Sequence, residues 1–451
     1  MRLPNRSSTS ASDRDPFSRL PRRRLLGASA ATATAGLAGC VDLPTTVGGY
    51  FDDSGDVSLF QGGLRRLGYY PDETVPESVT VNWSFPINYV GHTAAKSSPV
   101  PTHDGRTIVF AGDDGWVYAY APTGELQWST QTGATELGFH GSAAIVGNTA
   151  FIGGYDGDLY ALAIDSGEIV WRTRSSELDG ALAIGSSPAY HDGNLYVVSE
   201  YGSPSSGALW EIDPDTGEPT WSDDRMWGQP HPSPTIDLET GRIFAGSNDG
   251  VVYCWEYPSL EFAWAFEADA DGEEREGGAF RAGAEIKGTT AAYDGYGYVG
   301  SWDDTFYCID LEDGSEEWAF ETERSIMSNP AVDVDEGIVY MGNDAGSVFA
   351  LEADSGEELW SADVGGRVIG ALTVTAETVL AGSYDSHLYA LDKTTGDRRW
   401  RVQNRGRVTS APVPVDGRIY YAERAVFSNY YSDAETELEE PGHAYCLVGE
   451  E

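Results

Sequence analysis

The run Gly157-Asp158-Leu159-Tyr160-Ala161-Leu162, carried on through Asp165-Ser166-Gly167-Glu168 and closed by Trp171, returns nearly unchanged at 346–360 and 386–400. Weaker copies end at Trp128, Trp221, Trp264 and Trp318. Leu-Tyr-Ala-Leu alternates as a half-buried strand does. The Gly after Ser or Thr supplies the positive φ of a tight hairpin. Each copy is therefore strand, turn, strand, Trp. Self-similarity at this period points to a propeller, solenoid or array.

The closing tryptophans number the units. They stand at Trp83, Trp128, Trp171, Trp221, Trp264, Trp318, Trp360 and Trp400, at intervals of 40 to 54 residues. That is enough for about four strands each. One half-unit follows Trp400 and ends at Cys446-Leu447 with no Trp of its own, while Val79 to Phe85 is a lone strand that carries Trp83. The reading is an all-β, eight-bladed propeller in which this N-terminal strand completes the last blade and leaves no free sheet edge at the seam.

The repeat, with Ser186-Ser187-Pro188-Ala189, Asp192-Gly193 and Leu195-Tyr196-Val197 ahead of the next copy, resembles the PQQ-type propeller family over roughly 79–448. That resemblance implies the fold and leaves function open. The family includes quinoprotein alcohol dehydrogenases and cofactor-free propellers of bacterial outer-membrane assembly. Its dehydrogenases hold Ca²⁺ with carboxylate and amide side chains, use an Asp base and an aromatic floor, and often carry adjacent cysteines. Here no two cysteines are adjacent, and no carboxylate stands out among 72. Trp116 and Trp302 are the candidate stacking aromatics. The expectation is no cofactor and no catalytic set. A PQQ- and Ca²⁺-dependent oxidoreductase is the alternative.

Net charge is −44, with 28 Lys and Arg. Such a chain repels itself at low ionic strength, and about 1 M salt screens the repulsion. Acidity of this kind reads as adaptation to salt, and its sign disfavours nucleic acid. Cys254, Cys308 and Cys446 each follow a Tyr, at a position that is Ala in other blades. They read as small buried residues rather than disulfide or metal ligands.

Residues 1–40 read as a leader. Arg22-Arg23-Arg24-Leu25-Leu26 resembles a twin-arginine export signal, and Leu37-Ala38-Gly39-Cys40 a lipobox with Cys40 as lipid attachment site. Together they resemble the leader of a haloarchaeal surface lipoprotein, exported and anchored on the outer face of the cell membrane. Residues 41–78 read as a flexible tether with a ring-packing segment near 60–69, and 79–451 as the propeller.

The scarce basic residues recur just before the innermost strand of each blade: Lys96, His140, His231, Lys287, Arg324, Arg367 and Arg407, with blade three lacking one. The chain direction places them around one mouth of the channel. Three insertions, 201–207, 267–285 and 423–442, fall on the same face, where repeat proteins often bind. A narrow cationic mouth would focus an attractive field on an anion. The alternative is that each base pairs with an Asp of a neighbouring B–C turn, such as Asp114, Asp156, Asp249, Asp303, Asp344 or Asp385. The leading functional expectation is a non-catalytic binding or scaffold module for a protein partner or small anionic ligand.

Overall fold

The computed structural model describes residues 56–90, 97–267, 285–428 and 437–450. They form eight four-stranded antiparallel blades around a channel, with strands A to D running outward. Blade two is typical: Ala144–Val146, Thr149–Gly153, Leu159–Ala163 and Ile169–Thr173. Blade eight takes A, B and C from Val413–Val415, Arg418–Ala422 and Gly442–Gly449. Its D strand is the N-terminal Val79–Asn88, paired antiparallel to Gly442–Gly449. The strand expected at 79–85 closes the ring and runs three residues further. Cys254, Cys308 and Cys446 are free and buried on strand C.

The closing tryptophans tie each blade to the next. Seven indoles donate Nε1–H to a main-chain carbonyl of the following blade, among them Trp83 to Pro122 (3.1 Å), Trp171 to Pro214 (2.9 Å) and Trp400 to Pro76 (2.8 Å). Trp128, Trp264, Trp318 and Trp360 bond likewise to Ile164, Leu311, Ala353 and Lys393. The turn glycine of the next blade lies flat on the ring. A Cβ at Gly167 would sit 2.6 Å from Trp128, and φ there is +71°. The Gly of the repeat thus serves its own hairpin and the neighbour's Trp. Trp221 is the exception. The facing turn of blade four carries Leu260 in place of Gly, and Trp221 makes no such bond among the described residues.

Strand A is the inner edge of every blade and needs partners there. Residues 57–70 provide them. This segment enters from the A–B face, where the Asp56 carbonyl accepts the Gly147 N–H. Val57–Ser58 then pairs with strand A of blade two, and Tyr69–Tyr70 with that of blade seven. Between them the Leu64, Arg65, Leu67 and Gly68 carbonyls accept Ile236, Ala292, Val332 and Val374 N–H, one from each of blades four to seven. Gly68 is required, because a Cβ there would lie 2.7 Å from the Leu372 carbonyl. Arg66 fills the turn, fully buried, and donates to the Phe60, Ser187, Pro188 and Pro234 carbonyls. The segment near 60–69, read from the sequence as packing on the ring, lies inside the channel as a plug.

Candidate functional site

Above the plug the channel is a blind cavity of about 660 Å³ that opens on the face of the D–A loops and B–C turns. Its floor is Phe60 together with a girdle of side-chain oxygens from the starts of the A strands. Ser98 N–H donates to Ser142 Oγ, Ser142 N–H to Ser187 Oγ, Ser187 N–H to Ser233 Oγ and Ser233 N–H to Thr289 Oγ1, at 2.8–3.0 Å. Thr289 N–H continues to Asn329 Oδ1, and Ala411 N–H returns to Ser98 Oγ. Ala371 and Ala411 hold the two positions without a side-chain oxygen, and they form one apolar cluster with Phe60. The girdle gives way where the plug's phenyl ring needs room. The recurrent Ser-Ser-Pro was legible as a motif, but its hydroxyl ring was not: five of its bonds join residues 40 to 56 apart, and the sixth closes over 313.

Five of the seven basic residues meet at this cavity: His140, His231, Lys287, Arg367 and Arg407. Arg324 is exposed and does not line it. Lys96 lies outside the described residues, as do Cys40 with the whole leader, 268–284 of the second insertion, and 429–436 of the third. The 201–207 insertion is not a loop but a lengthening of blade three, whose strands Asn194–Tyr201, Ser206–Ile212 and Pro219–Trp227 rise beside the mouth.

Arg367 is paired with a B–C aspartate, Asp344, and the reason is local. In four of the B–C turns the Asp accepts the hydroxyl of the Tyr four residues on: Asp156–Tyr160, Asp249–Tyr253, Asp303–Tyr307 and Asp385–Tyr389. At Asp344 that place is Val348, so Asp344 is open to Arg367, at 3.5 Å. The other bases find different partners. Lys287 Nζ is 2.6 Å from Glu285 and lies 4.5 Å from the Trp302 ring centroid. Arg407 lies over the Tyr384 ring at 4.8 Å, and Arg424 of blade eight donates to the Tyr384 hydroxyl. His231 Nδ1 is 3.0 Å from Glu200 and 3.1 Å from the Tyr155 hydroxyl, while the His140 ring packs on Tyr155 at 3.6 Å between centroids. The cavity has two unlike walls. Blades five to eight bring cations backed by aromatic rings, and blades two to four bring the His–Tyr–Glu group.

One carboxylate near the mouth titrates in the physiological range. Asp113, in the B–C turn of blade one, is 1% exposed and accepts the Tyr89 and Val90 N–H groups at Oδ1. Burial outweighs both bonds and pushes its carboxyl up to about 7. The folded state then holds this proton more tightly than the unfolded chain does. The resulting stability is complete below the unfolded value near 4 and is lost as pH rises through 7. Asp113→Asn keeps the Oδ1 acceptor and removes the titration. Between pH 5 and pH 8 the wild type is expected to lose on the order of 2–4 kcal/mol more than the variant. Denaturant titrations at the two pH values measure this, and parallel losses would refute it.

A family model described as outer membrane protein assembly factor BamB matches residues 113–253 and 303–429, more than half of the chain. The outer membrane protein assembly factor BamB of Shewanella oneidensis is 25% identical over 288 residues, 62% of this chain and 67% of that protein. Matches to proteins of that name in Salmonella typhimurium and Escherichia coli span only 24% and 22% of their lengths. Among solved structures, the quinohemoprotein alcohol dehydrogenase of Comamonas testosteroni superposes with TM-score 0.70 at 15% identity, covering 87% of this chain and 80% of that one. BamB from Moraxella catarrhalis superposes with TM-score 0.57 at 16% identity, covering 82% and 98%. At such identities the superpositions speak for fold alone.

Proposed function

The chain belongs to the family described as outer membrane protein assembly factor BamB, and from that premise we propose that it is a non-catalytic scaffold that holds a protein partner at the channel mouth. The observation that carries this reading is the blind cavity itself, which gathers three permanent cations, Lys287, Arg367 and Arg407, in a chain of net charge −44. Such a site attracts negative groups, which the acidic rest of the surface repels.

An anchor at Cys40 would suit this arrangement. The described chain starts at Asp56 on the A–B face, opposite the mouth, so a lipid there leaves the mouth turned away from the membrane. Sixteen residues separate Cys40 from Asp56, a reach of at most roughly 55 Å. Export by the twin-arginine route and adaptation to salt belong to the same proposal.

The oxidoreductase alternative fares worse. Among the described residues the carboxylates lining the cavity, Glu200 and Asp344, stand on blades three and six and are bonded to His231 and Arg367. Among the described residues no group of three or more His, Cys, Asp or Glu is placed to hold a metal ion. This donor set does not fit a calcium-bound quinone.

The combined variant Lys287→Gln, Arg367→Gln, Arg407→Gln tests the scaffold reading. Crosslinking of the full chain in its own membranes should yield a defined partner with the wild type and at least about tenfold less with the variant, a loss of 1.4 kcal/mol or more. Undiminished capture would overturn the reading. So would stoichiometric uptake of PQQ with Ca²⁺ by the wild type.

A further inference from the structure

We infer that the mouth is built to take the C-terminal carboxylate of an extended partner polypeptide, entering end-on. This rests on the scaffold reading above and specifies which part of the partner is held.

The first argument is that the cavity is blind. Phe60 and the plug fill the channel beneath it, so a strand cannot thread through and an inserted segment must end there. A volume of about 660 Å³ is in the range of ligand pockets and suits the last few residues of a chain.

The second is the donor inventory. Ser142, Ser187, Ser233 and Thr289 each accept a neighbour's N–H at the side-chain oxygen. That leaves four hydroxyl protons to donate at the floor. Above them stand the Lys287 ammonium and the Arg367 and Arg407 guanidiniums. Arg367 is held by a 3.5 Å contact to Asp344. Against this array Glu200 and Asp344 are the only carboxylates lining the cavity among the described residues. A donor-rich, acceptor-poor site selects a carboxylate, and charge-assisted bonds to guanidinium are the strong ones.

The third is the rim. Leu182 lines the cavity and is 54% exposed. A small free anion would have no use for it. An apolar stretch leading to a carboxylate would lie across it. The sign of the remaining surface excludes a strongly acidic segment, since it would be repelled before reaching the mouth.

The test uses two labelled peptides, Gly-Ser-Leu-Ala-Val-Phe with a free C-terminal carboxylate and the same sequence as its amide, titrated by fluorescence anisotropy against the full chain in detergent and about 1 M KCl. The carboxylate peptide is expected to bind at least tenfold more tightly. Arg367→Gln with Arg407→Gln should abolish that ratio. Leu182→Ser should weaken both peptides alike and leave the ratio intact. Equal binding of the two peptides overturns the inference. So does competition by hexanoate at the peptide's own concentration, which would mark a small-carboxylate site. So does equal binding of a cyclic peptide with an internal Glu, which would mark a loop-binding site. If the peptides bind alike while the triple variant still loses its crosslinked partner, the scaffold stands and end-on capture falls. If the ratio holds but crosslinking is undiminished, the scaffold reading fails instead.

Discussion

An Arg66→Met protein should unfold about 5 °C below the wild type, although residue 66 lies outside the repeats. Arg66 is fully buried and meets no carboxylate among the described residues; its five hydrogen bonds go to the carbonyls of Phe60, Ser187, Pro188 and Pro234. Burial pulls the guanidinium's pKa down, but donation to main-chain oxygens on every side keeps it charged. Met replaces the stem and none of the donors. Four carbonyls in the channel then lose their partner, each at about 1–3 kcal/mol before water compensates for part of it. A net loss of about 4 kcal/mol is expected, near 5 °C for a chain of this length. Arg66→Lys should recover less than half, because one ammonium cannot reach carbonyls on the plug, blade three and blade four together. Thermal unfolding in molar salt measures both. A midpoint unchanged in Arg66→Met would show that the plug is not a structural hub.

The second large effect is expected at Lys393, in the C–D turn of blade seven. Its ammonium is 2.6 Å from Asp333, which is 0% exposed, and 3.2 Å from Glu336, both at the end of strand A of blade six. Its main-chain carbonyl also receives the Trp360 indole N–H. Lys393→Met leaves the Asp333 charge buried without its counter-ion, which costs about 3–5 kcal/mol. Adding Asp333→Asn removes the stranded charge, and the double variant should regain most of the loss. The wild-type pair raises the lysine's pKa above its ordinary 10.5. Its contribution is therefore complete through neutral pH and is lost only as pH rises past that raised value. A full double-mutant cycle by urea denaturation checks both statements. Simple additivity of the two substitutions would show that the pair is not coupled.

These two residues show how unevenly the sequence could be read. Lys393 is one of only three lysines and sits inside a clear repeat, yet nothing local announces Asp333, 60 residues earlier. Arg66 lies in a Gly-rich stretch that reads as a ring-packing appendage. Its role as a hub appears only once the chain has turned back into the channel. The basic residues before strand A were legible because they recur in step with the repeat. Which of them converge was not legible. Arg324 sits further out along its loop than His140, His231 or Lys287 do, and it stays exposed. Arg367 is paired through Asp344 because Val348 stands where other turns have Tyr. Glu200 and Tyr384 came to the site unannounced, since one ends strand B of blade three and the other lies in the B–C turn of blade seven, and the neighbour of each across the mouth belongs to another blade.

The sequence by itself determined the period, the strand-turn-strand units, the number of blades and the closing strand. Hairpin glycines, alternating side chains and a Trp per unit act within a few residues or one repeat, and a chain shows such spacings directly. The tertiary structure alone decided the girdle, the plug and the blind mouth. Their bonds reach across distant parts of the chain, 121 positions for Arg66–Ser187 and 313 for Ala411–Ser98, or pass the same N–H to oxygen link from blade to blade around the ring. No local spacing encodes a circle. It exists only when eight units that each could have stacked otherwise are bent back on themselves, and the cavity takes its charge and depth from that closure.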